Sequence, residues 1–106
     1  MRRDIFQAIA DPTRRAIIHL LASKPMNLNS IAAQFPISRP AISKHIKILV
    51  ECDVLHIRQQ GRERICTSKL DKLQPVQDWL TQYELFWNHK LDALAQHLEA
   101  SPENND

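Results

Sequence analysis

Residues 38–51 read Ser38-Arg39-Pro40-Ala41-Ile42-Ser43-Lys44-His45-Ile46-Lys47-Ile48-Leu49-Val50-Glu51. Ser38 is a favourable N-cap and Pro40 is tolerated in a first turn, so this stretch predicts a helix that runs to about Glu51. Helical spacing places its apolar side chains on one face and a polar stripe on the opposite face. The apolar face comprises Ile42, Ile46, Leu49 and Val50, and the stripe comprises Arg39, Pro40, Ser43, Lys44 and Lys47. The stripe is basic and contains no acidic residue.

A shorter helix is predicted just before this one, across a tight turn. Either Asn27 or Asn29 can cap it, and Pro36 ends it within about two turns. Its apolar positions are Ile31, Ala32 and Phe35. A short helix, a tight turn and a second helix with a basic outer face follow one another in the helix-turn-helix motif.

Two further helices are predicted upstream. The first has apolar residues at helical spacing, namely Ile5, Phe6 and Ile9. Asp11-Pro12-Thr13 ends this helix and starts the next, because Asp11 can cap it and Pro12 suits a first position that needs no backbone donor. Lys24-Pro25 ends the second helix.

Two strand-like runs follow the helices, at Val54–Gln59 and Arg64–Lys69. The only glycine of the chain, Gly61, lies between them. Because a hairpin turn usually needs a residue that tolerates positive φ, this placement predicts a β-hairpin. Arg62 and Arg64 flank its tip.

One long amphipathic helix is predicted from Gln74 onward, because apolar residues recur there at steps of three and four. These residues are Val76, Trp79, Leu80, Tyr83, Trp87, Leu91, Leu94 and Leu98. They offer more apolar surface than a small core can cover, so we predict that the first and last helices pair in a homodimer. The predicted contacts are Ile5, Phe6, Ile9, Leu80, Tyr83, Trp87, Leu91 and Leu94.

Length and composition favour a single, mostly helical domain. A chain of 106 residues can bury one core, and one glycine with six prolines leaves little material for a sandwich or barrel. We therefore predict a mostly α fold with a small β-hairpin, in the order α-α-α-α-β-β-α, over residues 1–100, with a disordered polar tail at 101–106. No apolar run approaches the roughly 20 residues of a membrane span, so a cytoplasmic protein is expected.

Charge is distributed unevenly along the chain. Residues 38–69 carry seven basic and three acidic side chains, whereas residues 70–106 carry two and seven. The middle segment is thus +4 and the last segment −5, which predicts that anion binding and self-association use different parts of the chain. A helix-turn-helix followed by an arginine-tipped hairpin is the winged form of the motif, so the basic segment is interpreted as a DNA-binding surface.

Three ordered motifs resemble the ArsR/SmtB family of bacterial transcriptional repressors. They are residues 6–18 (FQAIADPTRRAII), 38–49 (SRPAISKHIKIL) and 60–64 (QGRER). The resemblance covers about residues 4–70 and implies a homodimer with a winged helix-turn-helix fold. It also implies repression by operator occupancy, relieved by a signal. The DNA-binding residues predicted here are Ser38, Arg39, Pro40, Ser43, Lys44, Lys47, Arg62 and Arg64.

The metal-binding motifs of that family are missing. Where the family carries a Cys-x-Cys pair this chain has Asn27 and Asn29, and the zinc pattern of the last helix is replaced by Asp78-Trp79-Leu80 with Leu91 and Leu94. The resemblance is therefore to the branch without metal sites, and we predict no metal and no cofactor. A mixed site made by His89, His97 and Asp92 across a two-fold axis is the remaining alternative.

Cys52 and Cys66 have two possible roles. Cytosolic cysteines are usually small buried hydrophobes, and neither residue has a neighbour that would lower its thiol pKa. A redox pair is the alternative. His45 lies beside the basic stripe and is interpreted mainly as a packing and backbone-bonding residue, with a phosphate contact as the alternative.

Other function classes are less well supported. The chain has no glycine-rich phosphate loop, no His-Glu-x-x-His motif and no nucleophile elbow, so an enzyme is not expected. A winged-helix module that binds proteins without specific DNA binding is the main alternative, although such modules often lose the basic face. A partner protein that relieves repression is a further possibility within the DNA-binding interpretation.

Overall fold

The computed structural model describes residues 3–100 and begins with four helices, each preceded by a capping side chain. These are α1 (Ile5–Ala8) after Asp4, α2 (Pro12–Leu21) after Asp11, α3 (Leu28–Ala32) after Asn27 and α4 (Arg39–Glu51) after Ser38. In each case the cap oxygen accepts a hydrogen bond from a backbone N–H that has no partner within the helix. Asn27, rather than Asn29, is the cap of α3.

Three short antiparallel strands form a sheet in the order β1-β3-β2. They are β1 (Met26–Asn27), β2 (Leu55–Gln60) and β3 (Glu63–Ser68). The hairpin is confirmed, with strand bounds one residue from those predicted. Gln60 pairs with Glu63 across a two-residue turn, in which Gly61 has a φ of +62°. Strand β1 could not be predicted from the sequence, because two residues are too few to show an alternating pattern.

The buried core lies between α2, α3, α4 and the hairpin. Its largest fully buried side chains are Ile17, Leu21, Ile31, Ile42, Leu49, Val54, Leu55 and Cys66. Three of the four predicted core positions of α4 are buried, and Val50 is only half-buried because it lines a cavity beside the hairpin. Helices α1 to α4 and the hairpin therefore have the predicted winged helix-turn-helix order.

The described residues group into two compact units, one ending at Pro75 and the other starting at Val76. A 3₁₀ turn at Leu70–Leu73 leads into α5 (Gln74–Thr81), and α6 (Glu84–Ala100) follows. The prediction of one domain over residues 1–100 stays a prediction. The predicted tail at 101–106 lies outside the described residues.

The prediction of one uninterrupted helix from Gln74 is wrong, because α5 ends before Gln82 and Tyr83. The hydroxyl of Thr81 donates to the carbonyl of Gln77 at 2.8 Å, and the amide of Tyr83 donates to the carbonyl of Leu80 at 2.9 Å. Such side-chain bonding bends a helix, and a bond to the third residue back tightens its last turn. No helix within residues 3–100 is both long enough and apolar enough to cross a membrane.

Candidate nucleic-acid interface

The outer face of α4 carries the predicted polar stripe into solvent. The side chains of Arg39, Pro40, Ser43, Lys44 and Lys47 are all exposed, whereas Ile42, Ile46 and Leu49 on the opposite face are at most 2% exposed. The hydroxyl of Ser38 accepts a hydrogen bond from the backbone N–H of Ala41 at 3.2 Å. Ser38 thus fixes the start of the helix that presents the stripe.

The hairpin brings a second basic group close to the start of α4. Arg62 lies in the turn, and Arg64 shares a sheet face with Cys66, the face that packs toward the core. A shallow cavity of about 150 Å³ is lined by Arg39, Arg62 and Arg64 together. Residues that are far apart in the sequence therefore meet at one basic site.

Asn27 connects this basic site to the short third helix. Its Oδ1 accepts from the amide of Ser30 at 2.7 Å, and its Nδ2 donates to Glu63 Oε2 at 3.1 Å. The side-chain amide thus caps α3 and holds the base of the hairpin turn. Both of its polar atoms are engaged, so the residue at this position of the family's cysteine pair has a structural role.

The electrostatic field at the site favours an anion. None of the cations Arg39, Lys44, Lys47, Arg62 and Arg64 has a salt-bridge partner within the described residues 3–100. The first turn of α4 contains no acidic residue, and its N-terminal backbone N–H groups add a positive partial charge. Glu63 is the acidic residue that lines the shallow cavity, and Asn27 binds it.

His45 is on the inner side of α4 and contacts α2. Its Nδ1 lies 3.4 Å from Arg14 Nη1 and 3.8 Å from Asp11 Oδ2, and its side chain is 22% exposed. This placement supports the packing interpretation, although its neighbours here are side chains rather than backbone. Burial raises the pKa of the Asp11 carboxyl, but the Arg14 backbone N–H and the nearby His45 together lower it below its ordinary value.

Arg14 is a structural residue that the sequence analysis did not single out. Its Nε donates to the carbonyl of Ala8 at 3.2 Å and its Nη2 donates to that of Gln7 at 2.9 Å. These carbonyls end α1, so Arg14 caps one helix while it contacts His45 of the helix that carries the stripe. The one feature of the sequence that could have indicated Arg14 is its position, three residues after the N-cap Asp11.

Both cysteines are buried free thiols. Burial raises the pKa of Cys52, and it raises the pKa of Cys66 to about 11. Thiols with raised pKa values are poor nucleophiles near neutral pH, which supports the structural interpretation. Within residues 3–100, no group of three or more His, Cys, Asp or Glu side chains is placed to hold a metal ion.

The predicted dimer contacts are mostly surface residues of the protomer. The exposed ones are Phe6, Leu80, Tyr83, Trp87, Leu91 and Leu94, with exposures from 39% to 60%. Ile9 is half-buried, and Ile5, at 7% exposed, lies in the core and has little surface to offer a partner. Leu85 and Phe86 are also exposed, at 66% and 55%, and they were not predicted as contacts because they lie off the main apolar stripe.

Comparisons with known proteins agree with this geometry. Residues 11–56 match the model of a family described as bacterial regulatory protein, arsR family. The HTH-type transcriptional regulator Rv2034 of Mycobacterium tuberculosis is 34% identical over 95 residues, which cover 90% of this chain and 86% of that protein. The transcriptional repressor SdpR of Bacillus subtilis is 35% identical over 80 residues, or 76% of this chain and 89% of the repressor.

Solved structures show the same fold. The crystal structure of an ArsR family transcriptional regulator superposes with a TM-score of 0.70 at 34% identity, covering 79% of this chain and 92% of that one. A homodimeric winged helix-turn-helix DNA-binding domain from Mycobacterium bovis superposes with a TM-score of 0.61 at 18% identity, covering 76% and 77%. The chain therefore belongs to the ArsR family of bacterial regulatory proteins, and it is a DNA-binding transcriptional regulator.

Proposed function

We propose that this regulator is a homodimeric repressor that binds a palindromic operator through α4 and the β2–β3 hairpin. The observation that carries the proposal is the basic site at which Arg39 of α4 meets Arg62 and Arg64 of the hairpin. The B. subtilis relative SdpR is a transcriptional repressor, which supports repression as the direction of regulation. A dimer has two copies of this site, which suits a palindrome.

Individual residues are proposed to have different roles in the complex. Arg39, Ser43 and Lys44 lie in the first two turns of α4, where a recognition helix meets base edges in the major groove. Lys47 and Arg64 are proposed to bind phosphates, and Arg62 at the hairpin tip is proposed to enter the narrow minor groove. Ser38 and Pro40 shape the start of the helix and lie beside the backbone of the DNA.

The experiment that tests this proposal compares the DNA upstream of the chain's own gene with a random duplex over a range of salt concentrations. We expect Arg39→Ala to lose about 1–3 kcal/mol of binding free energy on the promoter and to discriminate less between the duplexes. Lys47→Ala should weaken binding to both duplexes alike and reduce the salt slope by about one.

Lys72→Ala is the matched control. It removes the same charge as Lys47→Ala, but Lys72 is paired with Asp53 beyond the C-terminus of α4. We expect its DNA affinity to equal that of the unsubstituted chain. Equal losses of specific and non-specific affinity in every variant would reject the assigned roles, and no salt-dependent binding to either duplex would favour the protein-interaction module instead.

Self-association is proposed to use the first helix, α1, and the helices of the second unit. Every side chain from Gln77 to Glu99 is exposed in the protomer, including the large apolar residues of α6. Burying such a surface against a second copy removes it from water. We propose that the dimer acts in the cytoplasm and associates with the nucleoid when it is bound to DNA. It acts as a regulator and catalyses no reaction, and a protein partner can relieve its repression.

A further inference from the structure

A cavity of about 470 Å³ lies between α4, the start of α3 and the hairpin. Four of its lining side chains are apolar, namely Leu28, Ile46, Val50 and Ile57. Ile46 is buried and the other three are half-buried. The apolar side chains at this edge of the core therefore line the cavity but do not fill it. Pockets that hold small molecules are of this size, roughly 300–1,000 Å³, and are lined mainly by apolar side chains.

Two cations line the same cavity. Lys47 and Arg64 are both exposed, and neither has a salt-bridge or hydrogen-bond partner within the described part of the chain, residues 3–100. Glu51 also lines the cavity, but its carboxylate is held by Arg3, whose Nε donates to Glu51 Oε1 at 2.6 Å. The uncompensated charge at the cavity is therefore positive.

We propose that this cavity is an effector site for a small monocarboxylate with an apolar body. The apolar body would lie against Val50 and Ile57, which removes their half-exposed surface from water. The carboxylate would accept charge-assisted hydrogen bonds from Lys47 and Arg64. An uncharged apolar molecule would leave the cations unpaired, and a small anion without an apolar body would leave the cavity unfilled.

The effector and DNA compete for the same cations. This step rests on the proposed function, in which Lys47 and Arg64 bind DNA phosphates. A carboxylate held by both side chains excludes the phosphates from them, so occupancy of the cavity weakens DNA binding. By linkage, DNA weakens binding of the effector by the same factor.

The cavity itself is tested without DNA, with decanoate as the probe and calorimetry as the readout. Ile57→Trp fills the cavity, and the matched control is Ile65→Trp. Both isoleucines are half-buried in one hairpin, but Ile57 pairs with Cys66 on the face toward α4 and Ile65 pairs with Arg58 on the other face. We expect decanoate binding to weaken about tenfold or more in Ile57→Trp and to be unchanged in Ile65→Trp.

Two control ligands and the methyl resonances of the chain test what binds in the cavity and where it binds. Decan-1-ol lacks the charge and acetate lacks the apolar body, so each should bind at least about tenfold more weakly than decanoate. In the unsubstituted chain, decanoate should shift the methyl resonances of Val50 and Ile57 but not those of Ile65, which decides the location even if Ile57→Trp fails to fold. Equal decanoate binding by the two tryptophan variants, or shifts centred elsewhere, would overturn the site.

The regulatory step is tested by titrating the promoter duplex with protein at fixed ionic strength. Saturating decanoate should raise the dissociation constant of the DNA complex about tenfold or more, and acetate at the same concentration should leave it unchanged. An unchanged constant with the cavity occupied would overturn the competition. If the chain does not bind the duplex even without decanoate, the proposed DNA-binding role fails instead, and the calorimetry still decides the site.

Discussion

At the residue scale, Gly61 and Arg62 at the hairpin tip have separable roles. Gly61 has a φ of +62°, and beyond its two chain neighbours no atom lies within 4 Å of where its Cβ would be. A β-branched side chain there strains only the backbone, so Gly61→Val should lower the free energy of unfolding by about 1–2 kcal/mol. Arg62→Ala should leave the melting temperature unchanged and weaken binding to the operator. Unaltered operator binding by Arg62→Ala would remove the hairpin tip from the interface.

The buried thiol of Cys66 should react slowly near neutral pH and should make the stability of the fold depend on pH. Because burial raises the pKa of Cys66 to about 11, only roughly one thiol in a thousand is ionised at pH 8. Iodoacetamide should therefore label Cys66 slowly in the folded chain and quickly in denaturant. The unfolding free energy should also fall as the pH rises from 9.0 to about 11, because the unfolded thiol ionises first.

A redox role for the cysteines would give the opposite results. If mild oxidation joined Cys52 to Cys66 in the folded chain and changed its DNA affinity, the structural interpretation would be wrong. Mass spectrometry of the oxidised protein, with the Cys52→Ala variant as the control, measures this directly.

At the element scale, the junction of α1, α2 and α4 depends on Arg14. Its guanidinium bonds two carbonyls at the end of α1 and approaches His45 of α4. Lysine has no planar fork, so Arg14→Lys should lower the free energy of unfolding by roughly 1–2 kcal/mol in urea titrations. Arg15 makes a single bond to the carbonyl of Ile9, which lysine can replace, so Arg15→Lys is the control. Equal stability of both variants would contradict this role.

At the scale of the whole molecule, dimerisation should depend on one face of α6. Successive residues on a helix differ by about 100°, which places Trp87, Leu91, Leu94 and Leu98 on one stripe and Leu85 well away from it. Leu91 and Leu85 are similarly exposed, at 60% and 66%. We therefore expect Leu91→Glu to shift sedimentation from dimer to monomer, and Leu85→Glu to remain a dimer.

Two results would contradict a dimer formed through the Leu91 face of α6. A stable monomer of the unsubstituted chain at micromolar concentration would reject self-association through this helix. A dimer that survives Leu91→Glu but not Leu85→Glu would place the interface on the other face.

We expect that no metal regulates DNA binding. The alternative metal site, made by His89, His97 and Asp92, would form only across the two-fold axis of the dimer. Asn27 and Asn29 replace the thiolates that soft metals need, so zinc, cadmium, nickel and copper should leave the operator complex intact at matched ionic strength. The variants His89→Ala and His97→Ala are the controls for a site across the two-fold axis. A stoichiometric metal that releases DNA, and whose effect is lost in either variant, would show a real sensor site.

The sequence by itself determined the features that depend on neighbours along the chain. Caps such as Asp11 and Ser38 satisfy backbone N–H groups two or three residues away, so the starts of the helices could be predicted from short stretches. The turn at Gly61 is equally local, since a positive φ suits glycine. The exposed basic stripe of α4 follows from the period of the helix, which fixes the two faces once the helix is assigned.

The tertiary structure alone decided the features that join distant residues. The pairing of β1 with β3, the contact of Arg14 with His45 and the meeting of Arg39 with Arg62 connect segments at least 20 residues apart. The cavity beside Ile57 exists because packing leaves space between three elements, and no pattern within one element encodes that space. The break after Thr81 interrupts an apolar repeat that continues in the sequence. The repeat shows which positions are apolar but not the hydrogen bonds found at the break, from the Thr81 hydroxyl to the Gln77 carbonyl and from the Tyr83 amide to the Leu80 carbonyl.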